Sequence, residues 1–264
     1  MPLVTNLDRS WESLRGMISS VFSLSTVGAR NVMVDGCGSI GKLDEELCAR
    51  WMQAAAFMPM VRLYYQVEYI SKQGELAFSD PGNIFDFTSE RFRNMAASAV
   101  RQRQRFSLYL YSQMFDVTDA SSPMVAPLFY YVPFTAETLR DPEHTYIVGE
   151  AIKVSPVLTP ESANNGTYEA YFQPGFYVNL NNFTDVLNVS DPHGTNVTLN
   201  ASDEFTNIHM LAGSIIPYQS PVKPSLTWDL QYGCNTNFYV FRDPYLDSAY
   251  GSLLIDDGYS PAYY

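Results

Sequence analysis

Two cysteines and several acids lie close together in the segment VDGCGSIGKLDEELCARW, residues 34–51. With such neighbours, Cys37 and Cys48 could be metal ligands, a redox pair or a disulfide. A zinc site needs about four ligands, and all three histidines of the chain lie far downstream. A redox pair usually has the C-x-x-C spacing, which is absent. We therefore expect neither a metal centre nor a cofactor, and a disulfide if the compartment is oxidising.

Five acceptor sequons for N-glycosylation indicate such a compartment. They cluster in one polar segment rich in Asn, Thr and Ser, at Asn165, Asn182, Asn188, Asn196 and Asn200. The alternative is an Asn-rich loop region of a cytosolic protein. The clustering favours the secretory pathway (lysosomal, extracellular or cell-surface), where disulfides persist. We thus predict a Cys37–Cys48 disulfide, which makes Cys234 the odd cysteine, either buried and free or paired with another chain.

The composition bounds the function further. The chain has 264 residues, 46% of them hydrophobic and 17% charged, and a net charge of −12. These values indicate a globular protein and argue against a nucleic-acid partner, because no basic stripe could neutralise phosphates. The densest basic cluster, residues 91–105, is interpreted as a solvated or inter-helix face. We find no run of about 18 apolar residues and no signal peptide in residues 1–20, which suggests a piece of a longer precursor.

Helices and strands alternate over the first 120 residues. Ser10 is the predicted N-cap of a helix over residues 10–24, where apolar residues recur at helical spacing. A short strand, a helix with acids in its first turn, a strand and a long helix follow, within residues 29–36, 44–58, 60–70 and 83–119. From about Tyr146 only short strands are predicted, separated by Gly, Pro and Asn. The predicted fold is α/β followed by all-β, with one or two antiparallel β-sandwiches.

Seven stretches of the chain carry a family resemblance. Three lie in the α/β part, as VDGCGSIG, ELCARWMQAAAFMPMVRLYY and SSPMVAPLFYYVP. Four lie in the β part, as VGEAIKVSPVLTP, AYFQPGFYVNL, HMLAGSIIPYQSP and GSLLIDDGYS. In this order they resemble motifs of glycoside hydrolase family 31, the α-glucosidase family that includes lysosomal acid α-glucosidase and sucrase-isomaltase. The resemblance also implies that Cys37 and Cys48 are bonded.

The family fold implied by this resemblance is a (β/α)₈ barrel followed by β-sandwiches. A whole barrel takes about 250 residues, so the chain resembles only the C-terminal part of the family. The domains expected are the last part of the barrel, a proximal β-sandwich and the start of a distal β domain, at residues 1–142, 143–222 and 223–264. The family's W-x-D-M-N-E motif, which contains the nucleophile, is absent from the sequence.

The family's acid/base aspartate corresponds to a different residue here. It lies five residues before the tryptophan of a W-x-G-D-N-x-x-x-W-x-x-L segment, and LVTNLDRSWESL, with Trp11 and Leu14, resembles that segment. The position is therefore Asn6, whose amide cannot act as a general acid. Asp8 could replace it only if the loop adopted another register. The resemblance thus implies a divergent, catalytically weak or inactive member.

Sugar-binding positions are also altered. Asp35 and Arg62 correspond to family residues that line the sugar site, whereas the family histidine of that site is Tyr64 here. The family phenylalanine and arginine nearby are Ser39 and Ala126. The alternative for Asp35 and Arg62 is an ion pair that stabilises loops under the barrel mouth.

Two functions remain open. The first is the C-terminal portion of a family 31-type α-glucosidase-like hydrolase, inactive alone, with an α-glucoside or glycan as ligand. The second is a non-catalytic glycan-binding or structural subunit. Open sheet edges invite association, so we expect residues 1–140 to contact the N-terminal piece of the same precursor or a homologous chain. That partner is expected to cover the inner strand faces, at Val32, Val34, Val61 and Leu63.

Overall fold

A computed structural model describes residues 2–29, 31–120, 122–131, 144–220 and 235–255. Its first half contains four helices, which are α1 Trp11–Thr26, α2 Glu45–Ala55, α3 Glu90–Arg105 and α4 Ser107–Ala120. Short 3₁₀ turns occur at Ile84–Asp86 and Leu128–Tyr130, and a single α-helical turn at Glu161–Asn164. None of the helices in the described ranges is long and apolar enough to cross a membrane.

Local sequence explains where the first two helices begin. The Ser10 side chain accepts a hydrogen bond from the backbone N–H of Ser13, and Asp44 does the same for Leu47. Each cap satisfies one of the N–H groups that the first turn of a helix leaves without a partner. The N-cap predicted at Ser10 is thus confirmed.

Three parallel strands form the sheet of the α/β part. They are β1 Leu3–Val4, β2 Met33–Gly36 and β3 Met60–Leu63, in the order β1-β2-β3. Register partners in a parallel sheet share a face, so Val4, Val34 and Val61 lie on one face, which packs into the main core. The other face carries Asp35 and Arg62, and it continues to Thr5 just after β1.

The sheet face that carries Val34 is covered by the chain itself over most of its length. Val32 and Val34 are fully buried within the chain, and Val61 packs against the same core, whereas Leu63 is exposed. The expectation that all four require a partner is therefore wrong for Val32 and Val34, because helices of the same chain bury them.

Two other elements of the first half differ from expectation. The long helix predicted within residues 83–119 is two helices, α3 and α4, which meet at Phe106. Phe106 ends α3 with its N–H bonded to carbonyls of the last turn, and its ring is buried against Phe57. The strand predicted over residues 60–70 is split, because its end forms an antiparallel hairpin of β4 Glu68–Ile70 and β5 Leu76–Phe78.

The second half is antiparallel, as predicted. A six-stranded sheet has the order β11-β10-β13-β8-β7-β6, and two further pairs are β12-β9 and β14-β15. These strands are β6 Val125–Pro127, β7 Tyr146–Val148, β8 Ile152–Ser155, β9 Thr167–Phe172, β10 Gly175–Asn179, β11 Asn182–Val189, β12 Thr195–Asn200, β13 Asn207–Leu211, β14 Ser214–Gln219 and β15 Thr236–Phe241. The β9–β12 pair encloses a small core with β10 and β11, which contains Phe172 and Tyr177.

One continuous core joins the two halves. It contains residues of α1 and α2 together with residues of β6, β7 and β8. Arg50 of α2, almost fully buried, extends the contact: its guanidinium donates to the carbonyls of Ala201 and Ser202 and pairs with Asp203. The α/β part is therefore held to the β part by packing and by the hydrogen bonds of Arg50.

The arginines of the basic cluster, residues 91–105, contact other parts of the same chain. Arg91 pairs with Asp203 and Glu161, and Arg103 donates to backbone carbonyls at the end of α2 and just after it. Arg105 donates to the hydroxyl of Tyr239. Of the two roles expected from the sequence, Arg103 has the inter-helix one, whereas Arg91 is partly solvated and Arg105 links α3 to β15.

Some expectations lie outside the described residues. The domain boundaries at 142/143 and 222/223 are among them, as is Cys234. Strand β6 precedes the first boundary but pairs with β7 in the antiparallel sheet. Residues 251–255 are described without regular structure.

Candidate functional site

Polar residues converge at the carboxyl ends of the three parallel strands. Thr5 follows β1, Asp35 lies near the end of β2, and Arg62 is the register partner of Asp35 on β3. In barrel folds this end of the strands carries the active site. The strand ends of β1, β2 and β3 therefore define the candidate site, which we call the strand-end site: Thr5, Asn6, Asp35, Arg62 and Tyr64.

Asp35 is the centre of a hydrogen-bonded group. Arg62 Nε donates to Asp35 Oδ1 at 2.5 Å, and the Thr5 hydroxyl donates to Asp35 Oδ2. Arg62 also donates to Thr5 Oγ1 at 3.1 Å. Asp35 has no exposed surface, whereas the Arg62 side chain is 35% exposed. The carboxylate is thus covered by Thr5, which is half-buried, and by Arg62, which is partly exposed to solvent.

Arg62 is fixed on two sides. Its hydrogen bond to Asp35 raises the pKa of the guanidinium above its usual value, which keeps the charge. The guanidinium carbon also lies 4.5 Å from the centre of the Tyr64 ring, a cation–π distance. Tyr64 is exposed. Together they present an arginine and an aromatic face to whatever enters from this side.

The loop after β2 is tightly held. Cys37 and Cys48 form a disulfide that ties this loop to α2. Arg9 also holds the loop, because its guanidinium donates hydrogen bonds to the carbonyls of Cys37, Gly41 and Asp80. Ser39, where the family motif has phenylalanine, is fully buried in the same loop. This loop therefore presents no aromatic side chain at the position where the family motif has phenylalanine.

Asn6, which the family resemblance predicts at the acid/base position, has unusual backbone geometry. Asn6 is exposed and has φ +58°, in the left-handed region that few residues other than glycine adopt. Asp8, the substitute considered from the sequence, is also exposed, and its carboxylate lies 3.4 Å from Lys72 Nζ. Its backbone pairs with Ile40 in a parallel bridge. In the register that this bridge fixes, Thr5 and Asn6 follow β1, and Asp8 lies further along the chain.

Thr5 is a site residue that sequence reasoning missed. The available signal was its place: a polar residue that follows a short apolar strand and immediately precedes Asn6. Among the described residues, no group of three or more His, Cys, Asp or Glu side chains could hold a metal ion. The chemistry that the strand-end site offers is hydrogen bonding from Arg62 and contact with Tyr64.

All five sequon asparagines are exposed. Asn182 and Asn188 lie on β11, and Asn196 and Asn200 lie on β12. Val189 follows Asn188 on β11, and Leu199 precedes Asn200 on β12. Both apolar side chains are buried in the small core. Since side chains alternate along a strand, the asparagines point away from that core.

Comparisons with known proteins agree with this geometry. The family model described as the TIM-barrel domain of glycosyl hydrolases family 31 matches residues 6–113. The model described as the C-terminal domain of the same family matches residues 121–216. A probable alpha-glucosidase of Oryza sativa subsp. japonica is 30% identical over 252 residues, which are 96% of this chain and 26% of that protein.

Solved structures share the fold. The cycloalternan-forming enzyme from Listeria monocytogenes, in complex with a pentasaccharide substrate, matches with a TM-score of 0.77 at 19% identity, over 91% of this chain and 22% of that one. The ER glucosidase II heterodimeric complex, of a catalytic subunit and the binding domain of a regulatory subunit, matches with a TM-score of 0.70 at 19% identity, over 84% and 22%. The chain thus spans about a quarter of the length of the relatives it matches.

Proposed function

The chain belongs to glycoside hydrolase family 31, and on that premise we propose that it is the C-terminal portion of an α-glucosidase-like hydrolase of O-glycosyl bonds. The observation that carries the proposal is the hydrogen-bonded group of Thr5, Asp35 and Arg62 at the strand ends. The relatives named alpha-glucosidase support the same reaction class.

For the ligand we propose an α-glucoside or a related glycan bound by Arg62 and Tyr64. Sugar hydroxyls accept hydrogen bonds from a guanidinium, and the C–H face of a sugar packs on an aromatic ring. Asp35 acts through Arg62, because a carboxylate without exposed surface has no direct route to a ligand. The two roles considered for Asp35 and Arg62, an ion pair and sugar binding, are thereby compatible, because the ion pair orients the Arg62 guanidinium that binds the sugar.

Catalysis by this chain alone is not part of the proposal. Retaining glycosidases need two carboxyl groups about 5–5.5 Å apart. Asn6 supplies an amide, and Asp8 already pairs with Lys72. The sequence also contains no W-x-D-M-N-E segment. We propose that the chain is inactive by itself.

The second candidate is a non-catalytic glycan-binding or structural subunit. Two observations favour it, namely Asn6 at the acid/base position and Tyr64 where the family has a sugar-binding histidine. Under this proposal the strand-end site still binds sugar, but no partner restores turnover. The two candidates differ only in what the assembled complex does.

We propose that a second polypeptide segment completes the sheet of the α/β part. Strands β1 and β3 are edge strands, and unpaired edges favour association. The face of the sheet that carries Asp35 also carries Leu3, Met33 and Met60, which are partly or largely exposed. The N-terminal piece of the same precursor or a homologous chain is the proposed partner, over more than about 2,000 Å².

For localisation we propose the secretory pathway, with glycans on the five exposed sequons. Expression through that pathway should give a measured mass above that of the polypeptide. Treatment with an N-glycanase should remove the excess. An unmodified mass would count against the localisation and leave the sugar-binding proposal untouched.

Turnover separates the two functions. The native complex that contains this chain is assayed with a chromogenic α-glucoside at acid and neutral pH, beside the isolated chain. The hydrolase proposal expects turnover by the complex and none by the chain. Absence of turnover by both, with saccharide binding that Arg62→Ala removes, favours the binding subunit. If Arg62→Ala keeps the full turnover of the complex and binds as many saccharides per chain as the parent does, the strand-end site is wrong under either function.

A further inference from the structure

A second cavity lies away from the strand-end site. Its volume is about 650 Å³, within the range of about 300–1,000 Å³ typical of small-molecule sites. Helix α4, the β7–β8 turn, the β13–β14 turn and residues 250–252 form its walls. None of its lining residues belongs to the strand-end site.

Two glycines of the cavity wall lie very close to neighbouring atoms. Gly149 has φ +57°, and a Cβ there would lie 1.8 Å from the side chain of Gln113. A Cβ on Gly251 would lie 2.2 Å from the carbonyl oxygen of Ile215. At Gly251 the neighbour is backbone, so only glycine fits, and at Gly149 the positive φ favours glycine and leaves room for the Gln113 side chain. Both glycines thus allow a close approach of chain segments at the cavity wall.

Tyrosine side chains on the cavity wall are held by hydrogen bonds. Tyr109 donates to the carbonyl of Val148 at 2.7 Å, and Tyr131 donates to that of Gly149 at 2.6 Å. Both rings are thus anchored to the β7–β8 turn, which forms one side of the cavity. A pre-formed wall of this kind lowers the entropy cost of binding a ligand.

A third tyrosine lies at the rim. Tyr250 is 77% exposed, yet its backbone is fixed, because its N–H donates to the Gly213 carbonyl and its carbonyl accepts from Ile215. An exposed aromatic ring on a fixed backbone offers a large contact surface at low entropic cost. Tyr250 is the most exposed of the three tyrosines that line the cavity, so its ring is accessible to a ligand.

The charge of the lining selects among ligands. Glu150 is the one charged residue among the described lining residues, which include no Lys, Arg or His. A phosphate or carboxylate ligand would find no cation and would be repelled by Glu150. A cationic ligand would gain only about 0–1 kcal/mol from one exposed carboxylate. The remaining lining combines tyrosines, serines, glycines and Gln113 with four apolar residues, which are Pro123, Ala151, Ala212 and Ile215. Uncharged polar groups beside aromatic and apolar surface fit a neutral ligand that has both hydroxyl groups and C–H faces, as a sugar has.

We propose that this cavity binds a neutral saccharide, with Tyr250 packing on a sugar ring and Glu150 accepting from sugar hydroxyls. The site is separate from the strand-end site and does not depend on the function proposed there. It would hold a glycan on the β-sheet side of the molecule, whether or not the hydrolase is active.

Maltotriose titrated into the full chain tests the proposal, by calorimetry and by ligand-observed NMR. Tyr250→Ala should weaken binding by up to about tenfold, the value of one aromatic contact, and Glu150→Gln should weaken it less. Tyr245→Ala is the matched control, since Tyr245 is also exposed but lies outside the cavity lining. Glucose 6-phosphate should not compete.

A fourth variant distinguishes the two sites. Arg62→Ala removes the strand-end donor and should leave the cavity affinity unchanged. The proposal is overturned if maltotriose fails to bind at millimolar concentration, or if it binds equally to the parent, Tyr250→Ala and Glu150→Gln. Binding lost only in Arg62→Ala would assign the saccharide to the strand-end site and likewise overturn the cavity proposal.

Discussion

Arg62 Nε lies 2.5 Å from Asp35 Oδ1, and the two residues are register partners on adjacent parallel strands. The pair is asymmetric, because the carboxylate is fully buried and the guanidinium is partly exposed. Asp35 therefore depends on Arg62 for charge compensation more than Arg62 depends on Asp35. This asymmetry fixes what each substitution should do.

Arg62→Ala should lower the free energy of unfolding by about 2–3 kcal/mol. Breaking a buried pair costs about 3–5 kcal/mol, and the value is discounted because Arg62 is partly exposed. Lys42→Ala is the control: Lys42 and Asp80 form an exposed pair, which should contribute about 0–1 kcal/mol. Urea unfolding of both variants measures the difference. Equal losses would show that Asp35 needs no compensation.

Asn6 gives a second prediction through its positive φ. The left-handed conformation costs most L-residues about 1–2 kcal/mol, whereas Gly, Asn and Asp adopt it readily. Asn6→Ala should therefore destabilise the chain by about 1 kcal/mol, and Asn6→Gly and Asn6→Asp should stay close to the parent. Thermal unfolding of the three variants is the measurement. A stable Asn6→Ala would mean that the backbone at residue 6 relaxes freely.

The disulfide gives a third prediction. Cys37 and Cys48 are 11 residues apart, and closing a loop of this length removes unfolded-state entropy worth about 3 kcal/mol. Cys37→Ser with Cys48→Ser should lower the free energy of unfolding by about that amount. Reductant should lower the stability of the parent and leave the double variant unchanged. A parent insensitive to reductant would indicate that the bond is absent in solution.

Local features were predictable from the sequence, whereas non-local ones were not. The cap at Ser10 depends on residues three positions apart, so a single segment contains the whole signal. Strand β11 cannot be distinguished from a loop by its own sequence, which is polar and rich in Asn. Its strand conformation comes from pairing with β10, with Val189 buried in the small core.

The same distinction applies to the candidate site. Asp35 and Arg62 were found from motifs around them, but their contact depends on the register of β2 against β3. Thr5 was missed because its role arises only when β1 lies beside β2. The break at Phe106 was missed because α3 and α4 have no helix-breaking residue between them, and burial of the ring decides the turn.

A buried imidazole leads to the last prediction. His209 of β13 is the register partner of Lys153 of β8, and its ring lies edge-on to Phe172, with centres 4.9 Å apart. Its Nδ1 has no hydrogen-bond partner among the described residues. Burial first, and then the nearby Lys153, lower the pKa of His209 to about 3. Lys153 is itself fully buried, and burial lowers its pKa well below the usual value.

A histidine with a lowered folded-state pKa makes stability depend on pH in one direction. Between about pH 6.5 and 3 the unfolded chain binds a proton at His209 that the folded chain does not, so stability falls as pH falls, by about 1.4 kcal/mol per pH unit. From pH 7 to pH 5 this amounts to about 2 kcal/mol. In His209→Gln that part of the slope should disappear, although the variant starts from a different stability. His193→Asn, at an exposed turn, should keep the parent slope. Urea unfolding at a series of pH values compares the three, and a His209→Gln slope equal to that of the parent would assign the acid sensitivity to other groups.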